Sequence, residues 1–344
     1  MNHNRDVTTW LQKRLPIFLA GLLLTCGIFV RSMALWGNSL PWSREFFGDI
    51  ERFAAAFGLI FLEAIPFMLI GALAAGVVAN FSTPADVKAL YSGRGMKGIA
   101  AGLVTGILFP AGEGGAALLG RALLRKGASL PAMTAMILAA PALNMLVLAI
   151  AMGLNSAGSV FWLRAGVGIG FAFLFALLLS VEDRPELLLQ PEVSLTLADQ
   201  DIKGMHEITP NKGGRWKAVG MTATREFIEF IPPLVAGALI ASLLQIAIPQ
   251  AWVPPVQGSL AAQIGGAGVW AILAAHSIGD LIVVQAAGLP WTPVEQIVFL
   301  CLGMLLDVRL IFFYLKIYRA KVILYLALLV VVVASLAGVI LAIS

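Results

Sequence analysis

Phe61-Leu-Glu63-Ala-Ile-Pro66-Phe-Met-Leu-Ile-Gly71-Ala-Leu73 and Phe227-Ile-Glu229-Phe-Ile-Pro232-Pro-Leu-Val-Ala-Gly237-Ala-Leu239 share seven identities in one register, including the glutamate, the proline and the glycine. Shared apolar composition does not place an acid, a helix breaker and a glycine at the same spacings twice. Internal similarity of this kind is weighed before any motif. A looser match follows in each half: Pro131 with Ala140-Pro-Ala-Leu-Asn144 resembles Pro293 with Gly303-Met-Leu-Leu-Asp307 after a one-residue shift. The chain is expected to consist of two related helical units.

Its solvent is lipid. Of 344 residues, 60% are hydrophobic and 12% charged, whereas an ordinary soluble domain carries about 25% charged residues. A helix crossing a hydrocarbon core of about 30 Å needs about 20 apolar residues. Seven such spans are expected, at 15–36, 53–80, 130–154, 160–181, 217–247, 294–318 and 320–343. Two further apolar regions, 98–125 and 260–289, are interrupted by glycine, proline and polar residues. The segment 15–36 follows Lys13 and Arg14 but ends in Arg31-Ser32-Met33-Ala34, a poor cleavage site, so it is expected to be a retained helix. Cys26 and Cys301 have no partner at metal or redox spacing, and no metal, cofactor or catalytic group is expected. The chain lacks a Gly-x4-Gly-Lys-Ser/Thr phosphate loop, so ATP coupling would require a separate subunit.

Lysine and arginine collect on the cytoplasmic side of membrane proteins. If 98–125 enters the bilayer and returns as a hairpin, 17 of the 23 basic residues fall inside. Four (Arg31, Arg44, Arg52 and Arg164) then fall outside, and Arg225 and Arg309 lie within spans. If 98–125 crosses, the cluster Arg121, Arg125 and Lys126 and the basic loop 182–216 fall on the wrong side. The expected fold is an all-α integral membrane protein of two inverted-topology repeats. Each repeat is helix, re-entrant hairpin, helix, helix, and one extra N-terminal helix precedes them. The segments are 1–52, a first repeat 53–181 with hairpin 98–125, a cytoplasmic linker 182–216, and a second repeat 217–344 with hairpin 260–289. The protein is placed as a multi-pass protein of the cell inner membrane, N-terminus cytoplasmic and C-terminus outside.

At 1.5 Å rise per residue, Glu63 and Glu229 lie about 15–18 Å along their spans, and Asn144 and Asp307 about 20 Å. The first hairpin turns at Pro110-Ala-Gly112-Glu113-Gly114-Gly115 and the second at His276-Ser277-Ile278-Gly279-Asp280, and the two tips are expected to face each other. Open backbone at such depth requires surrounding protein or a wet cavity. An ionisable side chain there costs roughly 2.5–3.5 kcal/mol. Glu229 has Arg225 one turn earlier, the spacing of a structural ion pair. Asp307 and Arg309, two residues apart, would not share a helix face. Glu63 has no basic neighbour in sequence and is the better candidate for a protonatable carboxyl. The glycines also suit close helix packing.

These residues resemble the predicted-permease family that includes the organoarsenical efflux permeases, over roughly residues 50–320. The family's proline and Cys-acidic-Cys tip, followed by an arginine and a basic-glycine end, reads here as Pro110-Ala-Gly112-Glu113-Gly114, Arg121 and Arg125-Lys126-Gly127. Its alanine-rich segment ending in Pro and Asn is similar to Ala139-Ala-Pro141-Ala-Leu-Asn144. Its second-half Cys-Ser with Asp, and Gly-Pro with a later Asp, resemble His276-Ser277 with Asp280 and Gly303-Met304 with Asp307. Gly112, Gly114 and His276 stand where the family pattern has cysteines, so thiol coordination of a soft arsenic centre is not implied here. The resemblance implies the fold and a transport role.

The function expected is secondary, proton-coupled transport or efflux of a small solute or ion, through a midplane site lined by Glu63, Pro110, Gly112, Glu113, Gly114, Asn144, Glu229, His276, Ser277, Asp280 and Asp307. The sign of the solute stays open, since carboxylates favour a cation and helix N-termini an anion. Partners are that solute and the lipid bilayer, not nucleic acid, with homo-oligomer formation left open. Two alternatives stand beside transport: a non-transporting assembly or sensor protein on the permease fold, and an intramembrane aspartyl protease built on Asp280 and Asp307.

Overall fold

The computed structural model describes residues 41–91, 95–143, 145–153, 158–182, 184, 187–191, 193, 212–247, 258–274 and 291–343. The expected helix 15–36, Asn144 and the second tip with His276, Ser277 and Asp280 lie outside the described residues. The elements are α1 (Pro41–Phe81), α2 (Pro84–Tyr91), α3 (Met96–Leu108), α4 (Gly112–Arg125), α5 (Leu130–Ala142), α6 (Met145–Gly153), α7 (Ser159–Ser180), α8 (Lys212–Ala247), α9 (Leu260–Ala274), α10 (Pro293–Leu305), α11 (Val308–Tyr314) and α12 (Ala320–Ile343). Six segments among the described residues are long and apolar enough to cross a membrane: Gly48–Phe81, Leu130–Ala149, Ser159–Ser180, Gly214–Ala247, Pro293–Tyr314 and Ala320–Ile343. The protein is an all-helical, multi-pass membrane protein.

The two longest helices, α1 and α8, run antiparallel along each other. Gly76 lies against Val219 and Ala223, Asn80 Nδ2 donates to Thr222 Oγ1 at 3.3 Å, and Phe81 packs on the Trp216 ring at 5.1 Å. Small residues at such crossings let helices approach where no hydrophobic effect drives them together.

Helices α3 and α4 both lean on α5. Gly102 of α3 sits against Ala132 and Gly106 against Met136, so α3 runs in the direction of α5. Helix α4 ends in a Schellman turn: Ala128 N donates to Leu123 O at 3.0 Å, Gly127 N to Leu124 O at 2.9 Å, and Gly127 takes φ +93°. Ser129 N then donates to Tyr91 O at 3.1 Å, which brings the end of α4 back beside the approach to α3. The break between the arms is narrower than the sequence suggested, confined to Phe109, Pro110 and Ala111, because Gly112 to Gly115 already form the first turn of α4. Those glycines serve contact more than chain reversal. A Cβ on Gly71 of α1 would meet Gly115 Cα at 2.3 Å, and one on Gly115 would meet Phe67 O at 2.5 Å.

Two segments that read as continuous spans are interrupted. Residues 130–154 break after Ala142, where Leu143 is extended, and 294–318 break after Leu305, where Asp307 is extended at φ −112° and ψ 169°. Pro141 in the last turn of α5 and Asp307 as N-cap of α11 carry the local reasons: proline disrupts the ladder behind it and aspartate caps the helix after it. The free ends are closed by buried side chains. Arg164 of α7, counted as an outside residue from its charge, is fully buried and donates to Pro141 O and Ala142 O at 3.0 Å each. Tyr314 OH donates to Leu305 O at 3.3 Å. Helix α10 starts on a capping box, Glu295 N to Thr292 Oγ1 at 3.3 Å and Thr292 N to Glu295 Oε2 at 2.7 Å.

Part of the expected linker is docked. Gln190 N donates to Ile317 O at 2.9 Å, Arg319 N to Leu188 O at 2.9 Å, and Leu189 and Val193 are buried. This ties 187–191 to the turn between α11 and α12. The α1–α4 crossing gives a direct test. Gly71→Val forces backbone apart and is expected to lower the thermal midpoint in detergent by an amount equivalent to about 1–3 kcal/mol. Gly58→Val, on the same helix with open space around it, leaves the midpoint unchanged.

Candidate functional site

Two helix starts and one long helix meet at a buried charge. Glu113 is the second residue of α4, Asp307 is the N-cap of α11, and Arg309 lies in the first turn of α11. Arg309 is 2% exposed and its Nη2 donates both to Glu113 Oε1 and to Asp307 Oδ2, the latter at 3.2 Å. The second Asp307 oxygen, Oδ1, accepts from Leu310 N at 2.6 Å. Asp307 and Arg309 were not expected to face each other. They do because Asp307 is extended, not helical, so the rule for residues two apart on a helix does not apply to it.

Glu63 of α1 completes the group, within electrostatic reach of Arg309. Glu63, Ala64, Phe67, Glu113, Gly114, Arg309 and Phe313 line a cavity of ≈ 10 Å³, about what one water requires. Phe67 also packs on Gly112, which takes φ +52°. A Cβ on Gly114 would press on Met68 at 3.1 Å and Phe313 at 3.3 Å. The two glycines at matching positions of the similar segments 61–73 and 227–239 have matching duties here. Gly71 brings α1 onto α4 beside Glu113, and Gly237 brings α8 onto α11, where a Cβ would meet Arg309 Cα at 2.7 Å.

Glu63, Glu113, Gly114 and Asp307 are therefore assembled, with Gly112 at their edge and Pro110 exposed at the break. Glu229 is elsewhere. It belongs to a second charged group that joins α4 to α8, in which the fully buried Arg121 pairs directly with Glu229 and lies 3.3 Å from Glu226. Arg125 Nη1 donates to Glu226 Oε1 at 2.5 Å, and the Arg121 guanidinium stands 5.2 Å from the Phe230 ring centre. Arg225, the partner suggested by sequence spacing, is only 3.9 Å from Glu229 and is 66% exposed. Asn144, His276, Ser277 and Asp280 lie outside the described residues. Among the described residues no three His, Cys, Asp or Glu side chains gather to hold a metal ion.

Arg309 was missed as the centre of the site. The signal was present: an aspartate that caps a helix places an arginine two residues later beside its own carboxylate, but only a break in the span reveals the cap.

Spanning-length helices packed around interrupted segments, with a buried arginine held between carboxylates at the interruptions, define a polytopic membrane protein of transporter type. A model of the predicted permease family matches residues 49–343, and the chain belongs to that family; it is a membrane permease. It is similar to the UPF0718 protein YcgR of Bacillus subtilis (strain 168), 26% identical over 281 residues, which cover 81% of this chain and 92% of that protein. No solved structure matches it.

The two charged groups differ in which residue is indispensable. Arg121→Met takes a fully buried cation from the buried Glu226, which keeps Arg125, and from the part-exposed Glu229, and is expected to cost about 3 kcal/mol of stability. Arg225→Ala should stay within about 0.5 kcal/mol. Thermal unfolding of the purified variants in detergent checks both.

Proposed function

We propose that this permease is a proton-coupled secondary transporter, for transport or efflux of a small solute or ion, through an alternating-access site at Glu63, Glu113, Asp307 and Arg309. The observation that carries this is the Arg309 guanidinium shared by Glu113 and Asp307 where two interrupted helical elements end. Ionisable groups at such places mark substrate and proton paths in membrane proteins, and transporter sites are commonly built on discontinuous helices at a repeat interface.

We read the halves as inverted-topology repeats, with α1, α3, α5–α6 and α7 answering to α8, α9, α10–α11 and α12. The packing supports this correspondence: α3, α5 and α7 pack on one another, and so do α9, α10 and α12. Equivalent helices run in opposite senses, as α1 and α8 do. The pair α3–α4 then serves as a re-entrant hairpin entering from the face that carries Lys88, Lys97, Lys126, Lys316 and Arg319, which the distribution of basic residues makes cytoplasmic. The family pattern's cysteines are absent from positions 112 and 114, and Gly112 and Gly114 are hemmed in by Phe67, Met68 and Phe313. Thiol-dependent binding is therefore not part of the proposal.

The test is solute-dependent proton movement in proteoliposomes carrying a pH gradient and an internal pH dye, screened over cationic, neutral and anionic small solutes. At least one solute should move protons. Glu113→Gln and Glu63→Gln should each slow that movement about 100-fold, as expected when a buried ion partner is lost, while Lys97→Gln at an exposed position keeps it. Unchanged rates in both carboxylate variants contradict the mechanism, and silence across the panel favours a non-transporting role.

A further inference from the structure

Helices α7 and α12 leave a groove of ≈ 620 Å³ between them, away from the junction at Arg309. Along α7 its wall is Phe175 and Leu178, and Glu182 follows at the same spacing just past the helix end; residues three and four apart share one face. Glu182 N donates to Leu179 O at 3.4 Å, which carries the last turn on to it. Along α12 the wall is Lys321, Tyr325 and Leu328, again four and three apart. The linker that leaves α7 docks at the start of α12, where Leu188 O accepts from Arg319 N at 2.9 Å. Glu182, Leu188 and Lys321 therefore gather at one end of the groove, and from there its apolar walls continue for about 10 Å at 1.5 Å per residue.

Phe175 and Val322 form a buried floor, whereas Leu178, Tyr325 and Leu328 are each more than half exposed. Both helices are of spanning length and apolar, so these exposed side chains meet hydrocarbon. An occupant must then be apolar along most of its length and polar at one end. The Lys321 ammonium stands 5.8 Å from the Tyr325 ring centre, an arrangement in which a lysine reaching for water and an interfacial tyrosine mark the level of the lipid headgroups. Lysine at this level attracts a phosphate. Glu182, at the same end, repels a headgroup that is anionic as a whole and can accept from one that carries N–H donors. One of its oxygens, Oε1, already accepts from Arg184 N at 3.1 Å, which orients the carboxylate.

We infer that the groove between α7 and α12 binds one phospholipid whose phosphate carries a primary ammonium group, phosphatidylethanolamine. An acyl chain lies along Leu178 and Leu328, the phosphate meets Lys321, and the ammonium donates to Glu182. A choline headgroup lacks the N–H donors that Glu182 would accept, and a glycerol headgroup lacks the positive charge. The bound lipid bridges α7 and α12 and, through Leu188 at the polar end, the docked linker. This assignment is independent of the transport function proposed above.

The test uses the full chain, purified in detergent, stripped of lipid and titrated in mixed micelles with dioleoyl phosphatidylethanolamine, phosphatidylcholine or phosphatidylglycerol. Thermal midpoint and bound mass by native mass spectrometry are the readouts. Phosphatidylethanolamine should bind about fivefold more tightly than either other lipid, the factor expected of one charged contact at a membrane surface. Lys321→Gln should weaken its binding about fivefold and leave the lipid-free midpoint unchanged, while Lys321→Arg keeps it. Glu182→Lys should reverse the preference toward phosphatidylglycerol. Leu328→Trp, which fills the groove, should remove the bound lipid whatever its headgroup, whereas Leu336→Trp, exposed on the same helix outside the groove, retains it; monodisperse elution shows that each variant is folded. Equal binding of the three lipids, or a preference of the unaltered chain for phosphatidylglycerol, overturns the headgroup assignment. Lipid retention untouched by Leu328→Trp overturns the site, and a dimer that Leu328→Trp dissociates would give the groove to a second copy of the chain instead.

Discussion

Backbone that leaves the helix inside a bilayer has no water to turn to, and the architecture of this permease follows from how each interruption is closed. The carbonyls freed at the end of α5 take Arg164, and the one at the end of α10 takes Tyr314. The amides at the start of α11 take Asp307. These partners are polar or charged side chains that a lipid-facing helix would exclude. The interruptions therefore draw charge into the bundle, and that charge in turn requires compensation. Arg309, linked to Glu113 and Asp307, is where the two requirements meet.

Compensation explains much of the packing around it. A guanidinium deep in a bundle is tolerated when its donors are matched, and matching it here requires α4, α1 and α11 to come within hydrogen-bonding or electrostatic range. Helices that must approach so closely need small residues at the crossings, which is where Gly71, Gly115 and Gly237 lie. The second charged group, Arg121 with Glu226 and Glu229, fastens the far end of α4 to α8. One short helix thus carries a buried charge near each end and is tied to both halves of the molecule.

Much of this was legible in the sequence, for reasons that can be traced to particular residues. Lipid solvation marks spans by composition alone, and five of the expected spans fall in the spanning-length helical segments with small shifts at their ends, as does 53–80 within α1. Periodicity and charge counting do less well inside the bundle. They counted Arg164 among the outside charges and Arg121 among the cytoplasmic ones, although both are fully buried in the bundle, because a count of basic residues does not distinguish a solvated charge from one that caps a broken helix or pairs with buried carboxylates. Glu229 was recognised as an ion-pair candidate with Arg225, and that pair is present at 3.9 Å, but its closer partner is the buried Arg121, more than a hundred residues away, which no helical spacing reveals. The breaks after Ala142 and Leu305 were missed because hydropathy continues through them, and with them went the meeting of Asp307 and Arg309. Glu63, Glu113 and Asp307, which the structure brings around Arg309, stood out in the sequence because isolated carboxylates in apolar segments are conspicuous whatever the detailed geometry.

The central claim is that Arg309 and Glu113 act as one charge-compensating unit between two interrupted elements. A double-mutant cycle on thermal or denaturant unfolding, with Arg309→Met, Glu113→Gln and the double variant, measures it most directly. A coupling energy of about 2–3 kcal/mol is expected, with the double variant more stable than Arg309→Met alone because residue 113 then carries no buried charge that needs the guanidinium. Additive effects, with a coupling near zero, would contradict the account.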